Sequence, residues 1–167
     1  MQVAEVVTYL QMRSPEDLVP GTPAPVELAP TPPDQRFRDV QVRVGAPHHW
    51  PTTDWSADQW EGYLAGPGLH HGMFVSDGQP VGVLTVQEER HAAEIVSFGL
   101  VPEAAGRGLG GHALTLAVRF AWGVHPEVRR VWLHTSSLDH PAALPNYQRR
   151  GFEVFHTEHR TRAIRAV

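Results

Sequence analysis

I-V-S-F-G-L-V-P-E-A-A-G-R-G-L-G-G-H-A-L, residues Ile95 to Leu114, decides the fold of this chain. Its first half is apolar and β-branched and stops at Pro102, which reads as a buried strand. Its second half sets four glycines (Gly106, Gly108, Gly110 and Gly111) around Arg107 and then becomes helical. A strand, a glycine loop and a helix N-terminus in succession bring unpaired backbone N–H groups and the positive end of a helix dipole to one place. Glycines let an anion approach that backbone closely, so the natural guest is a phosphate. The spacing excludes two common phosphate loops. No Lys-Ser/Thr follows the glycines, as nucleotide hydrolysis would require, and there is no G-x-G-x-x-G in register with a ribose-binding acid about 20 residues on.

Upstream, Ala93 to Val101 completes a three-strand meander. Its other strands are Gly72–Ser76 and Pro80–Gln87, joined by the Asp77-Gly78 turn, with a second turn at Glu89-Arg90-His91. Downstream, the helix expected from Arg107 to Trp122 is apolar on most faces, with Leu109, Ala113, Leu116, Ala117, Phe120 and Ala121 turned inward. A crossover helix makes the next strand, Val128–Thr135, parallel to the first. Asp139 or His140 should cap a short helix carrying Pro141 in its first turn and made irregular by Pro145. Gly151–His159 returns as a strand, and Thr161–Val167 is a tail or a last short strand.

The N-terminal third is less regular. Val3–Leu10 reads as an opening strand, whereas Ser14–Pro33 holds seven prolines and admits neither regular helix nor central strand. That segment is an irregular surface crossing or a flexible cover over an acceptor site. Asp34–Val44 places Phe37, Val40 and Val44 at helical spacing before Gly45, and S-x-x-Q at Ser56–Gln59 is a capping box that opens a helix carrying Trp60, Tyr63 and Leu64.

Composition bounds the function. A chain of 167 residues, 41% hydrophobic and 19% charged, is expected to form one domain over residues 1–167 with a real core. No apolar run approaches the roughly 20 residues of a membrane helix, and no signal peptide opens the sequence, so no membrane partner and a cytoplasmic location are expected. The absence of cysteine removes disulfides, thiolate nucleophiles and Cys-based zinc sites. A net charge of −4 with no basic stripe argues against a nucleic-acid partner. Eleven histidines form no metal-ligand spacing: His48-His49 and His70-His71 are adjacent, and His156 and His159 point to opposite faces of a strand.

The glycine stretch resembles the pyrophosphate loop of the GNAT superfamily of acyl-CoA-dependent N-acetyltransferases, [Q/R]-x-x-G-x-[G/A], with Ala105 to Gly110 in the matching positions. Ala105 stands where the family has Gln or Arg, a loss of one side-chain contact. A second match is N-Y-Q-R-R-G-F, Asn146 to Phe152, which is similar to the family's helix-to-strand signature Y-x-x-x-G-F and is preceded by Ala143. The resemblance implies an α/β, layered α+β fold. Its mixed, mostly antiparallel central sheet would have about six or seven strands flanked by about four helices, and a splayed parallel strand pair would form the cofactor cleft.

The same resemblance implies acetyl-CoA (coenzyme A) as cofactor. Phe98, Gly99, Leu100 and Val101 would pair with its pantetheine arm. The N–H groups from Ala105 through Gly106, Arg107, Gly108 and Leu109 to Gly110, with Gly111, Asn146 and Tyr147, would hold the rest, and Arg107 would add a cation. The implied reaction is direct attack of a primary amine on the thioester in a ternary complex. Tyr147 matches the family's general acid for the departing thiolate. Glu94 is the first candidate base and His134 the second, the latter by its titration range; a solvated Glu at a strand's start and a core His are the ordinary alternatives. His140 stands where the family often has an Asn touching the cofactor. The loop Ala46–Trp55 resembles a substrate-recognition loop, with His49, Trp50, Asp54 and Trp55 as acceptor-binding candidates, suited to a cationic small-molecule amine. Alternatives are a non-catalytic acyl-CoA-binding sensor or interaction domain, acetylation of a protein or peptide amine, and O-acetyl transfer. A homodimer through the edge of the terminal strand is a further expectation.

Overall fold

The computed structural model describes residues 1–165, so the end of the predicted tail, Ala166 and Val167, lies outside the described residues. In chain order the elements are β1 (Gln2–Met12), β2 (Glu27–Pro30), α1 (Gln35–Gly45), α2 (Ala57–Leu64), β3 (Leu69–Ser76), β4 (Gln79–Glu88), β5 (Ala92–Leu100), α3 (Gly110–Trp122), β6 (Arg130–Ser136), α4 (Ala143–Arg149) and β7 (Glu153–Ala163). The strands form one seven-stranded sheet in the order β2-β3-β4-β5-β6-β1-β7. Every pairing is antiparallel except β5 with β6. The crossover through α3 is what makes that pair parallel.

Local chemistry accounts for most boundaries. Asp34 accepts the Phe37 N–H and starts α1, and Ser56 and Gln59 exchange both hydrogen bonds of the expected capping box at α2. Asp77 (φ 54°) and Gly78 (φ 73°) supply the left-handed pair that a tight β3–β4 hairpin needs. The core runs along the sheet's inner strands and under α3, with Leu10, Phe74, Leu84 and Leu133 on strands and Leu114 on α3 essentially fully buried. Burial of such side chains stabilises by about 1.5–3 kcal/mol each.

Three expectations are corrected. The proline-rich segment is not irregular throughout: Glu27–Pro30 is a strand, and it sits at the sheet edge, where proline's missing N–H costs no ladder bond. The rest of the segment is tied down by backbone hydrogen bonds. It crosses the start of α3, where the Gly21 N–H donates to Thr115 Oγ1 at 2.8 Å, and the Val19 N–H bonds the Arg150 carbonyl at 2.8 Å. The helix after the glycine loop begins at Gly110 rather than Arg107, and it buries Leu114, Thr115 and Val118 while Leu116 and Phe120 are only partly covered. Neither Asp139 nor His140 caps α4, whose N-cap is Ala142. Asp139 instead closes the turn after β6 by accepting Thr135 Oγ1 at 2.7 Å and the Ser136 N–H at 2.9 Å.

Two features position the site. The N-terminal strand β1 lies between β6 and β7, so residues from both ends of the chain meet there. The terminal strand β7 is an edge, and its Val154 and Phe155 are exposed.

Candidate active site

Ladder pairing between β5 and β6 covers only Ala92–Ile95 against Arg130–Leu133 and then stops. Beyond that point each strand is held by its outer neighbour, β5 by β4 as far as Leu100 and β6 by β1 as far as Ser136, so the two diverge while staying rigid. A β-bulge assists: Thr85 pairs with Ser97 and Val86 with Ile95, which leaves Val96 as an extra residue on β5. Bulges bend a strand and re-aim its side chains. Two cavities open from this divergence, of about 460 Å³ and about 320 Å³.

The larger cavity runs from Phe98, Gly99 and Leu100 to the glycine loop and α4. A Cβ on Gly99 would stand 2.5 Å from Val44 Cγ1, so glycine is what lets α1 and Trp50 close over β5. Gly106 (φ 80°) and Gly108 (φ 76°) occupy the left-handed region, with open space where a side chain would project. Leu109, 2% exposed, anchors the loop in the core. Among the described residues, the N–H groups of Gly106, Gly108, Leu109, Gly110, Gly111 and His112 have no acceptor. Ala105 and Arg107 differ: the Ala105 N–H bonds the Val101 and Pro102 carbonyls, and the Arg107 N–H bonds the Ala104 carbonyl at 3.4 Å. The free donors are thus shifted toward the start of α3, whose dipole adds to them.

The Arg107 side chain is turned to Asp77, 3.7 Å away, and lines neither cavity; Val101 is buried and also lines neither. The cations at the loop are Arg149 and Arg150, from the end of α4. Arg150 is wedged at two glycines, since a Cβ on Gly21 or Gly111 would lie 2.6 or 2.5 Å from its Nη1, and its buried Nε has no partner among the described residues. Asn146 Nδ2 donates to the Gly110 carbonyl at 3.1 Å and ties α4 to α3. Free amides at a helix start, an unpartnered guanidinium Nε and glycine clearance suit a pyrophosphate.

Tyr147, Phe98, Trp50, His48 and Asp139 line both cavities. Tyr147 is 7% exposed and packs edge-on against Phe98 and Phe152 at 6.3 and 6.0 Å between centroids. Burial, then the Asp139 charge, raises its phenol well above the ordinary range, so it stays protonated at neutral pH. Trp50 Nε1 donates to Asp139 Oδ1 at 3.1 Å and fixes the indole at the cavity wall.

The two base candidates are placed differently. Glu94 pairs across with Trp132 and lines neither cavity, and burial, with the Glu89 charge, pushes its carboxyl up to about 7. His134 lines the smaller cavity. Its ring packs on Tyr9 at 5.4 Å, and desolvation followed by the Arg160 charge lowers its pKa, which keeps it neutral at pH 7.

Of the acceptor candidates, Trp50 and Trp55 line the smaller cavity. His49 and Asp54 do not. His49 adopts φ 58° and gives its carbonyl to Arg162, and Asp54 is paired with Arg165 at 3.1 Å. Beside Trp50 and Trp55 the smaller cavity is lined by two acids, Glu5 and Asp139, and two arginines, Arg160 and Arg162. The sequence reading missed these two arginines, with Glu5, Gln41, Arg149 and Arg150. The Arg149-Arg150 pair just before Gly151-Phe152 was a usable signal; Glu5 gave none, because nothing local shows that β1 inserts beside β7.

Comparison with known proteins agrees with this architecture. The family model "Acetyltransferase (GNAT) family" matches residues 36–152. A search of curated proteins finds no match. Among solved structures, a GCN5-related N-acetyltransferase from Kribbella flavida aligns with TM-score 0.63 and 21% identity over 93% of this chain and 57% of that one. Another from Sphaerobacter thermophilus gives 0.65 and 18% over 95% and 50%. The chain therefore spans little more than half the length of these two. An IAA acetyltransferase from Bacillus cereus gives 0.60 and 21% over 78% and 79%.

Proposed function

The chain belongs to the GNAT acetyltransferase family, and on that premise we propose that it moves an acetyl group from acetyl-CoA to a primary amine of a small molecule, by direct attack in a ternary complex. The observation that carries this is the shared wall: Tyr147 and Phe98 face both the cavity beside the phosphate loop and the smaller cavity beyond it. A thioester delivered along β5 and an amine held in the smaller cavity would meet at that wall. The smaller cavity, about 320 Å³, is at the lower end of sizes that hold small molecules.

Acetyl-CoA, when bound, supplies an activated acyl carbon and a thiolate leaving group. The free N–H groups from Gly106 to His112, with Arg149 and Arg150, would hold its pyrophosphate. The β5 backbone beyond Ile95, released from β6, would pair with the pantetheine arm and aim an N–H at the acyl oxygen. Tyr147 would give its proton to sulfur as the carbon–sulfur bond breaks and the carbon–nitrogen bond forms. Phenol near 10 and thiol near 8.5 make that transfer uphill, and burial steepens it, so Tyr147 must act by proximity in the transition state. The amine's proton would go to His134, which lines the cavity, or through water to Glu94, whose carboxyl is tuned near 7.

The test is thiol release from acetyl-CoA across a panel of amines. Since the chain has no cysteine, a thiol reagent reports only free CoA. Stoichiometric thiol and N-acetyl product are expected. Tight acetyl-CoA binding with no thiol released from any amine would sink the proposal in favour of an acyl-CoA-binding domain.

A further inference from the structure

The smaller cavity carries a hydrogen-bonding pattern that specifies its guest beyond the amine. Glu5 at its floor is 1% exposed, and its carboxylate is fully engaged: Oε1 accepts Ser136 Oγ at 2.6 Å and Arg162 Nη1 at 3.3 Å, and Oε2 accepts Arg160 Nε at 2.7 Å. Asp139, the other acid on the wall, is equally engaged by Trp50, Thr135 and the Ser136 N–H. Neither acid is left to greet a cation.

The arginines are not saturated. A guanidinium carries five N–H donors. Arg160 commits one, to Glu5, and Arg162 commits two sets of donors at Nη1 and Nη2, to Glu5 and to the His49 carbonyl. The remaining donors, most of them on Arg160, have no acceptor among the described residues. Gln41, on the same cavity's lining, is fully buried (0% exposed) with neither Nε2 nor Oε1 partnered among the described residues, and Thr52 Oγ1 is buried and unpartnered there too. A buried amide left without partners costs about 1–3 kcal/mol. A cavity that buries one, beside arginines aligned by a buried carboxylate, is built for a polar guest.

Resting on the acetyltransferase reading above, the geometry points to an acceptor that carries an oxyanion, a carboxylate or a phosphate, on the same small molecule as its amine. Arg160 and Arg162 take the anionic group in the fork geometry that guanidinium offers. The amine lies toward Tyr147 and His134. Glu5 is a positioning residue. Its buried charge orders both guanidinium groups, and because Glu5 and Asp139 are both engaged by other donors, the unused guanidinium N–H groups are what the guest meets.

The experiment compares matched acceptor pairs by thiol release at saturating acetyl-CoA: amino acids against the corresponding amines lacking the carboxylate, and aminoalkyl phosphates against the corresponding amino alcohols. Acetyl-CoA binding is followed separately by calorimetry. Wild type should prefer the anionic member of at least one pair type by about 10- to 100-fold in kcat/KM, the scale of a hydrogen bond to a charged group. The carboxylate and phosphate arms identify which oxyanion is read. Arg160→Met should abolish that preference mainly through KM for the anionic member of each pair, with acetyl-CoA affinity unchanged; Arg160→Lys, which keeps the charge and loses the fork, should recover part of it. Equal or better turnover of the neutral partners overturns the inference while leaving acetyl transfer intact. Acetyl-CoA binding with no anionic amine turned over also overturns it, and failure to bind acetyl-CoA overturns the underlying reading instead.

Discussion

Tyr147→Phe separates chemistry from packing. The substitution removes one oxygen and keeps the ring, which is 7% exposed and rests on Phe98 and Phe152. Folding stability should therefore change by less than about 1 kcal/mol, the net scale of one hydrogen bond, and the melting temperature by less than about 4 °C for a chain of this size. Loss of a general acid costs about 10²–10⁴ in rate, or about 3–5 kcal/mol of transition-state stabilisation at 1.36 kcal/mol per decade. Tyr147→Ala supplies the contrast, because losing a buried aromatic side chain costs about 3–5 kcal/mol of stability. Thiol-release kinetics gives kcat, calorimetry gives acetyl-CoA affinity and thermal unfolding gives the melting temperature. The Phe variant should lose at least about 10² in kcat with affinity and melting near wild type. Because burial holds the phenol protonated, wild-type kcat should also show no alkaline decline from Tyr147 below about pH 10. A Phe variant with near-wild-type kcat would reduce Tyr147 to a spacer beneath β7.

Further expectations concern the base, the phosphate cations and the buried carboxylate. If Glu94 is the base, kcat/KM rises through an acidic limb near pH 7 that Glu94→Gln removes; if His134 is, the limb lies below the ordinary imidazole value and His134→Gln removes it instead. Glu94 also has a signature in stability. Its folded pKa is raised, so between about 4.3 and about 7 the native state binds the extra proton and stability falls as pH rises; Glu94→Gln should thus gain stability relative to wild type at pH 8 but not at pH 4, by thermal unfolding. Equal gains at both pH values would contradict a raised pKa. Gly111→Ala should push aside the Arg150 guanidinium, and with Arg150→Gln it should weaken CoA binding by about 10-fold or more, read by calorimetry; unchanged affinity would remove Arg150 from the site. Glu5 is held below the ordinary range by Arg160, Ser136 and Arg162 against its burial, so its stabilisation is present above the unfolded carboxyl pKa and lost as pH falls through the lowered one. Glu5→Gln should be destabilised at pH 7 and converge on wild type as pH falls through the lowered carboxyl value, and a constant gap would refute it.

The motifs that were legible in the sequence are local ones. The strand, glycine loop and helix of Ile95–Leu114, the Asp77-Gly78 hairpin and the Ser56–Gln59 capping box each depend on residues a few positions apart, and each formed, the helix starting at Gly110 rather than Arg107. What escaped was set by long-range contact. Arg107, a phosphate-ligand candidate, is paired with Asp77 of the β3–β4 turn, and Asp54, an acceptor candidate, with Arg165, pairings that no local spacing announces. The smaller cavity escaped most fully. Its floor joins Glu5 of β1 to Arg160 and Arg162 of β7, a juxtaposition created by inserting the first strand between β6 and the last.

Calorimetric titration with acetyl-CoA, beside CoA and ATP, tests the central claim most directly when repeated on Gly108→Glu. At φ 76° a side chain is strained at that position, and a carboxylate there would add negative charge where a pyrophosphate must sit. The account predicts micromolar acetyl-CoA and CoA binding to the wild type, weaker ATP binding, and loss of all three in a variant that still folds. Absence of acetyl-CoA binding to the wild-type chain, or undiminished binding to a folded Gly108→Glu, would contradict it.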